Sequence, residues 1–201
     1  MVSRFVLASA SPARLSTLRA AGIEPEVVVS GVDEDAVTAT STAELVVELA
    51  ARKASAVAAQ VPAGALVLGC DSLLELDGAA LGKPGSVDGA KQRWRQMRGR
   101  DGVLHTGHCL IDVATGASLA RGAATVVRFA DVTDDEIDAY CSTDEPSQVA
   151  GAFTIDGLGG WFVESIDGDP HNVVGVSLPL VRAMLRELGH DLRSIGYPPR
   201  Q

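Results

Sequence analysis

The residues best suited to chemistry stand near the start of the chain, where an apolar run leads into a predicted helix. Residues 5–8 predict a buried strand, Ser11 is a good helix N-cap, Pro12 suits the first helical position, and Arg14 falls in the first turn. A helix start of this kind presents backbone N–H groups, hydroxyls and a guanidinium, which together favour phosphate. The alternative is that Ser11 and Pro12 merely begin a surface helix.

Lys53 is the second candidate, because it interrupts an apolar stripe. On a helix predicted from Ser41 to Ala59, Lys53 falls on the same face as Val46, Leu49 and Val57. Burying an unpaired ammonium is costly. The side chain therefore either extends to solvent or meets a negative partner, and the pattern leaves both open.

Two acidic positions could serve catalysis or hold a metal. Asp71 follows the apolar residues 65–70, which predict a buried strand, and ligands usually bind at the carboxyl ends of strands in α/β sheets. Asp71 could instead cap the next turn. Glu34, within an acidic run, could join Asp71 in holding a hard divalent cation through oxygen, or it could belong to a solvated loop.

A lysine in a tight loop completes the charged candidates. Lys83, between Gly82 and Pro84, suits a point-charge contact to phosphate, although a single loop lysine is usually solvated. The spacing around it is not that of a P-loop, which disfavours a P-loop kinase or ATPase. His105 and His108 could share one face of a strand, and we expect structural roles for both.

The elements that must position these residues predict a mixed α/β fold in one domain, residues 1–201, whose middle segment could form a second lobe. Strands alternate with helices early in the chain and pair as hairpins later. The predicted helices cover 11–21, 41–59, 86–98, a segment capped at Thr133, and 179–188; the predicted strands cover 26–29, 65–69, 73–76, 79–81, 103–113 and 118–129, besides the first.

Composition limits the class of partner and the compartment. The chain has 201 residues and a net charge of −9, which disfavours a nucleic-acid polymer as partner. Its three widely spaced cysteines suggest neither a disulfide framework nor a zinc site. With no signal-peptide pattern and no apolar run long enough for a membrane span, we expect a cytoplasmic protein without a membrane partner.

Taken in order, a set of short motifs resembles the Maf family of nucleoside triphosphate pyrophosphatases over nearly the whole chain. The motifs are residues 7–14, 33–34, 53–54, 69–71, 81–84, 150–153 and 172–175. The resemblance implies a mixed, elongated central sheet flanked by helices, with two lobes and a cleft, as in inosine triphosphate pyrophosphatase-like folds.

The same resemblance implies hydrolysis of a nucleoside triphosphate to the monophosphate and pyrophosphate, with Mg²⁺ or Mn²⁺. Asp71 would accept a proton from the attacking water, and Glu34 and Asp71 would hold the metal. The groups implied to grip the triphosphate are Ser11, Arg14, Lys53 and Lys83. A homodimer and a housecleaning role against modified nucleotides are also implied.

Departures from the family pattern bear on specificity. Ala13 stands where many members have a second arginine, and Val149 and Asp156 stand where one branch has lysine and glutamine. We therefore expect Asp156 to line the base pocket. Two alternatives stay open: a nucleotide-binding regulator of septum formation without significant turnover, and a phosphatase that removes the terminal phosphate.

Overall fold

The structure, a computed structural model, describes residues 4–143 and 145–197. Within these residues, no helix has both the length and the apolar character needed to cross a bilayer. The strands are β1 (Arg4–Ala8), β2 (Glu26–Val27), β3 (Ala65–Leu76), β4 (Ala79–Leu81), β5 (Asp101–Asp112), β6 (Ser118–Phe129) and β7 (Val163–Asp167). The α-helices are α1 (Pro12–Ala20), α2 (Thr42–Ala58), α3 (Val87–Met97), α4 (Asp134–Cys141), α5 (Pro170–Val174) and α6 (Leu178–Glu187).

The seven strands form one mixed sheet, as predicted. Their order is β2-β1-β3-β5-β6-β7, and β4 pairs with β3 outside this order. β1 runs parallel to both β2 and β3. The pairs β3–β4 and β6–β7 are antiparallel. β3 and β4 are connected by the Asp77-Gly78 turn, in which both residues have positive φ.

The chain divides into two compact units. Unit 1 comprises the described residues up to Asp71, then Thr106–Ala123, and those from Gly175 onward. Unit 2 comprises Ser72–His105 and the described part of Ala124–Val174. The middle of the chain therefore forms a unit with its own core.

In unit 1, alternate residues of β1 enter two different cores. Phe5 and Leu7 pack in a cluster with Leu18 of α1 and Met184 of α6. Val6 and Ala8 pack in a second cluster with apolar residues of α2, including Ala50, Ala54 and Val57. Because side chains alternate between faces of a strand, helices cover both faces of the sheet here, and β1 must be apolar throughout.

The core of unit 2 is aromatic and centres on Trp94 of α3. Its ring makes edge contacts with Phe129, Tyr140 and Phe162, at centroid distances of 5.7, 5.5 and 5.6 Å. Its indole Nε1–H donates to the carbonyl of Ala152 at 2.8 Å. The one polar atom of the side chain is thereby satisfied in a buried position.

Several predicted boundaries are wrong. The two strands predicted at 65–69 and 73–76 are one continuous strand, β3, while β2 is shorter than predicted. β7 and α5 were not predicted from the sequence. At the start of α2, the Ser41 hydroxyl accepts from the Glu44 N–H at 3.2 Å. The Glu44 carboxylate does not bond back to the Ser41 N–H, as it would in a capping box, but accepts hydrogen bonds from Thr40.

Candidate active site

The turn from β1 into α1 holds a buried arginine in a fixed position. The Ser11 hydroxyl accepts from the Arg14 backbone N–H at 3.4 Å, which confirms Ser11 as the N-cap. Ser9 Oγ accepts from the Ser11 N–H at 3.2 Å and from Arg14 Nη1 at 3.0 Å. Arg14 Nε donates to the carbonyl of Gly175 at 2.8 Å. The guanidinium is therefore oriented by groups from two separate chain segments.

Lys53 meets negative partners, which settles the choice between solvent and an ion pair. The residue is 7% exposed, and its Nζ lies 2.5 Å from Asp71 Oδ1 and 2.6 Å from Glu34 Oε1. The Asp71 side chain is buried, whereas that of Glu34 is largely exposed. The predicted stripe is correct, because Val46, Leu49 and Val57 are buried on the same helix.

Two glycines allow α2 to lie close enough for this contact. A Cβ added at Gly69 of β3 would lie 2.3 Å from the carbonyl oxygen of Ala50, and one at Gly107 of β5 would lie 2.0 Å from that of Val46. Neither position can hold a side chain without moving the helix. A glycine inside a strand pattern is the sequence signal for such a close backbone approach.

Asp71 lies within β3, so its predicted place at the end of that strand is wrong. The parallel ladder between β1 and β3 ends at the pair Ala8 and Gly69, and β3 continues beyond it. Asp71 therefore lies just past the carboxyl end of β1, not of β3. A ligand site is expected at the carboxyl end of a strand, and here that strand is β1, which is followed by Ser9 and Ser11.

Burial dominates the electrostatics of Asp71. It raises the pKa of the Asp71 carboxyl above its usual value. The charges of Lys53 and Arg14 and the hydrogen bond from Lys53 oppose this rise, while the charge of Glu34 adds to it. A carboxylate with a raised pKa is a better proton acceptor than one at the surface.

Glu34 and Asp71 are the two carboxylates that could hold a divalent ion here, and both contact the ammonium group of Lys53. Among the residues that the structure describes, no group of three or more His, Cys, Asp or Glu side chains could form a metal cage. Mg²⁺ is commonly bound through one or two carboxylates, with water and substrate phosphates supplying the other oxygens. The donor set suits an ion that binds with a phosphorylated substrate.

Two predicted site residues, Lys83 and Asp156, belong to unit 2. Lys83 is exposed on the loop after β4. The carbonyl of the preceding Gly82 accepts from the Gly151 N–H at 3.3 Å and from Arg93 Nη1. Asp156 is exposed, just before the short helix Leu158–Phe162. Unit 1 contains the other predicted site residues, which are Ser11, Arg14, Glu34, Lys53 and Asp71, whereas Lys83 and Asp156 belong to unit 2.

Sequence reasoning placed hydroxyls near the guanidinium without singling out Ser9, and it missed the Gly175 carbonyl as a partner of Arg14. Ser9 could have been found as a hydroxyl between the apolar strand and the N-cap, but no local signal connects Gly175 to Arg14. The shared face of His105 and His108 is wrong, because side chains an odd number of residues apart on a strand point to opposite faces. His105 Nε2 lies 3.7 Å from Glu75, and His108 Nε2 accepts from the Ser177 N–H at 2.8 Å.

Comparison with known proteins gives a consistent result. The sequence model described as "Maf: Maf-like protein" matches residues 4–188. A Streptomyces coelicolor protein named nucleoside triphosphate pyrophosphatase is 57% identical over 97% of this chain and 95% of its own length. A Salinispora tropica protein of the same name is 59% identical over 92% of this chain and 84% of its own.

Among solved structures, the crystal structure of a nucleoside-triphosphatase / dITP/XTP pyrophosphatase from Mycobacterium abscessus matches with a TM-score of 0.40 and 16% identity. The match covers 64% of this chain and 75% of that one. The family match and the identities above are decisive by themselves: this chain belongs to the Maf family.

Proposed function

We propose that this chain hydrolyses nucleoside triphosphates to nucleoside monophosphates and pyrophosphate. The observation that supports this most is that the buried Lys53 contacts both the buried Asp71 and the exposed Glu34, while the charge of Arg14 in α1 also acts on Asp71. The family and the names of relatives above 50% identity point to the same reaction. The cluster combines a proton acceptor with cations, as phosphoryl transfer requires.

Asp71 acts as the general base. Water attacks the α-phosphorus, its proton passes to an Asp71 carboxylate oxygen, and the bond to the leaving pyrophosphate breaks as the new bond to oxygen forms. The raised pKa of Asp71 suits it to this task. Lys53 fixes the carboxylate through its contact at 2.5 Å, so the base is oriented before the substrate arrives.

The cationic groups and the start of α1 hold the triphosphate. Arg14, Lys53 and the N-terminal end of α1 offset the charge that grows on the leaving pyrophosphate. Ser11 contributes as the residue that caps this helix. The family resemblance implies a phosphate contact for Lys83, and we hypothesise that Asp156 lines the base pocket. In an Asp156→Asn variant, relative rates across nucleotides should change, and unchanged rates would remove Asp156 from the base pocket.

Glu34 and Asp71 would hold a Mg²⁺ or Mn²⁺ ion, and the reaction would depend on it. When bound, such an ion polarises phosphate oxygens and neutralises their charge. Removing divalent ions with a chelator should abolish turnover, and adding Mg²⁺ back should restore it. Full activity after exhaustive chelation would contradict this role for the two carboxylates.

Product analysis with matched variants tests the proposed reaction. A panel of nucleoside triphosphates should yield monophosphate and pyrophosphate, and Asp71→Asn should lose at least about 100-fold in rate. Asp112→Asn is the control, because Asp112 is as buried as Asp71, at 6% exposure, and lies in the same unit. Release of orthophosphate would support a phosphatase, and tight binding without turnover would support the regulator.

We infer a cytoplasmic homodimer that removes modified nucleotides. The thiols of Cys70, Cys109 and Cys141 are buried and unpaired, which suits a reducing compartment. Sedimentation of the purified protein tests the dimer, and a higher specificity constant for modified than for unmodified nucleotides would support the housecleaning role.

A further inference from the structure

Unit 1 contains a cavity of about 750 Å³ at the C-terminal end of α6. Its volume falls in the range of small-molecule sites. None of the residues of the Lys53 cluster lines it. The lining residues are Arg182, Arg186, Gly189, His190, Asp191, Leu192, Arg193, Ser194 and Tyr197.

Three arginines line this cavity. Within residues 4–143 and 145–197, Arg182, Arg186 and Arg193 form no ion pair, whereas every other arginine contacts a carboxylate or a main-chain carbonyl. Arg182 and Arg186 are four residues apart on α6, so they lie on one face and repel each other. Such clustering is unexpected in a chain whose net charge is −9.

The nearby carboxylates have other contacts. Asp191, the acidic residue in the lining, accepts the Ser194 N–H at 3.0 Å through Oδ1 and so caps a short helix. Glu187, at the end of α6, is bound by Arg121 at 2.8 Å. With three arginines and one aspartate, the lining carries a net positive charge.

Local hydrogen bonds fix the walls of the cavity. Gly189 has φ +82°, and the following His190 N–H donates to the carbonyl of Leu185 at 2.8 Å, which ends α6 in a tight turn. The Tyr197 N–H donates to the carbonyl of Leu192 at 3.0 Å. Tyr197 lines the cavity and is 44% exposed. These bonds fix the backbone around the cavity, whereas the three arginine side chains are exposed.

We propose that this cavity binds a small anion that carries phosphate groups. Guanidinium groups match phosphate oxygens through paired hydrogen bonds, and several of them suit a multiply charged ligand. Free pyrophosphate and a nucleotide share this chemistry. A nucleotide would also place its base against the ring of Tyr197. This site is separate from Lys53, Asp71 and Glu34, and anion binding there does not depend on the proposed reaction.

Hydrogen exchange on the full chain locates the binding. Pyrophosphate, added without divalent metal, should protect the amides of residues 186–197 in the wild type. In Arg182→Ala/Arg193→Ala, this protection should require at least about tenfold more pyrophosphate, because each lost arginine removes charge-assisted hydrogen bonds. Arg19→Ala is the matched control, since Arg19 is an exposed arginine of the same unit that pairs with Glu24. It should behave as the wild type.

The proposal is overturned if pyrophosphate leaves residues 186–197 unprotected, or if the double variant is protected like the wild type. Arg182→Glu provides a second variant, which should bind pyrophosphate more weakly than the wild type does, because a negative charge then lines the cavity. Repeating the experiment with a nucleoside monophosphate and Tyr197→Ala identifies the source of the phosphate. Weaker protection by the monophosphate in that variant indicates a nucleotide, and an effect of pyrophosphate alone indicates the free anion. Protection here, together with no triphosphate hydrolysis in a separate assay with Mg²⁺, would refute the proposed function and leave this site intact.

Discussion

At the scale of single residues, the chemistry depends on how differently buried the partners of Lys53 are. The Asp71 side chain is 8% exposed, whereas that of Glu34 is 56% exposed. An ion pair in a buried position leaves an uncompensated charge when one partner is removed, while an exposed pair contributes little. The contact of Lys53 with Asp71 should therefore contribute more to folding stability than its contact with Glu34, although the two distances are similar.

This difference predicts the stability of three variants. Lys53→Met should lower the free energy of unfolding by about 3–5 kcal/mol, because Asp71 then stays buried without its cation. Glu34→Gln should cost less than about 1 kcal/mol. The double variant Lys53→Met/Asp71→Asn should recover part of the loss. Urea denaturation measures all three, and equal losses for Lys53→Met and Glu34→Gln would contradict this account.

At the scale of elements, the position of Lys53 depends on how closely α2 packs on the strands. Gly69 and Gly107 permit this contact, because any Cβ there would overlap the helix backbone. The lysine could therefore be misplaced by a substitution that touches none of the charged groups. This is packing between backbones, and the only sequence signal for it is a glycine inside a strand.

Gly69→Ala should consequently impair both folding and catalysis. We expect a loss of about 1–3 kcal/mol in unfolding free energy from overpacking, and a reduced kcat because Lys53 and Asp71 separate. Gly122→Ala is the control, since a Cβ there would lie 3.4 Å from Cγ2 of Val47, at the end of a side chain. Thermal unfolding and steady-state kinetics check this, and a Gly69→Ala enzyme with wild-type kcat would refute it.

A second element, the segment before β7, is held by one carboxylate in unit 2. Glu145 accepts hydrogen bonds from Tyr140 Oη at 2.8 Å, Thr154 Oγ1 at 2.6 Å, and the N–H groups of Leu158 and Gly159 at 3.0 Å. Burial raises the pKa of Glu145, and these hydrogen bonds outweigh it, so the net pKa is lowered. The ionised form is thus the one that stabilises the segment.

The pH dependence of Glu145→Gln follows from this direction. Because the folded pKa lies below the unfolded value of about 4.3, the stabilisation is present above that pH and is lost as the pH falls through the lowered pKa. At neutral pH the variant should unfold about 1–3 kcal/mol more easily. The gap to the wild type should shrink in acid. A gap that is constant from pH 7 to pH 3 would contradict this role.

At the scale of the whole molecule, the sequence predicted patterns better than it predicted contacts. The periodicity around Lys53 gave the correct buried face, because a helix repeats every few residues and its register is local. The same approach divided β3 in two, because the polar residues Asp71 and Ser72 interrupt its apolar run, although it predicted the hairpin partner at 79–81. Arg14 was found from its place in the helix, but its partner Gly175 lies far along the chain.

The most direct test of the central claim is to follow oxygen during hydrolysis in water enriched in ¹⁸O. We predict equal amounts of monophosphate and pyrophosphate, with one ¹⁸O atom entering the monophosphate, as attack at the α-phosphorus requires. The rate should collapse in Asp71→Asn and persist in Asp112→Asn. Label in the pyrophosphate, or an Asp71→Asn enzyme that retains the wild-type rate, would contradict the account.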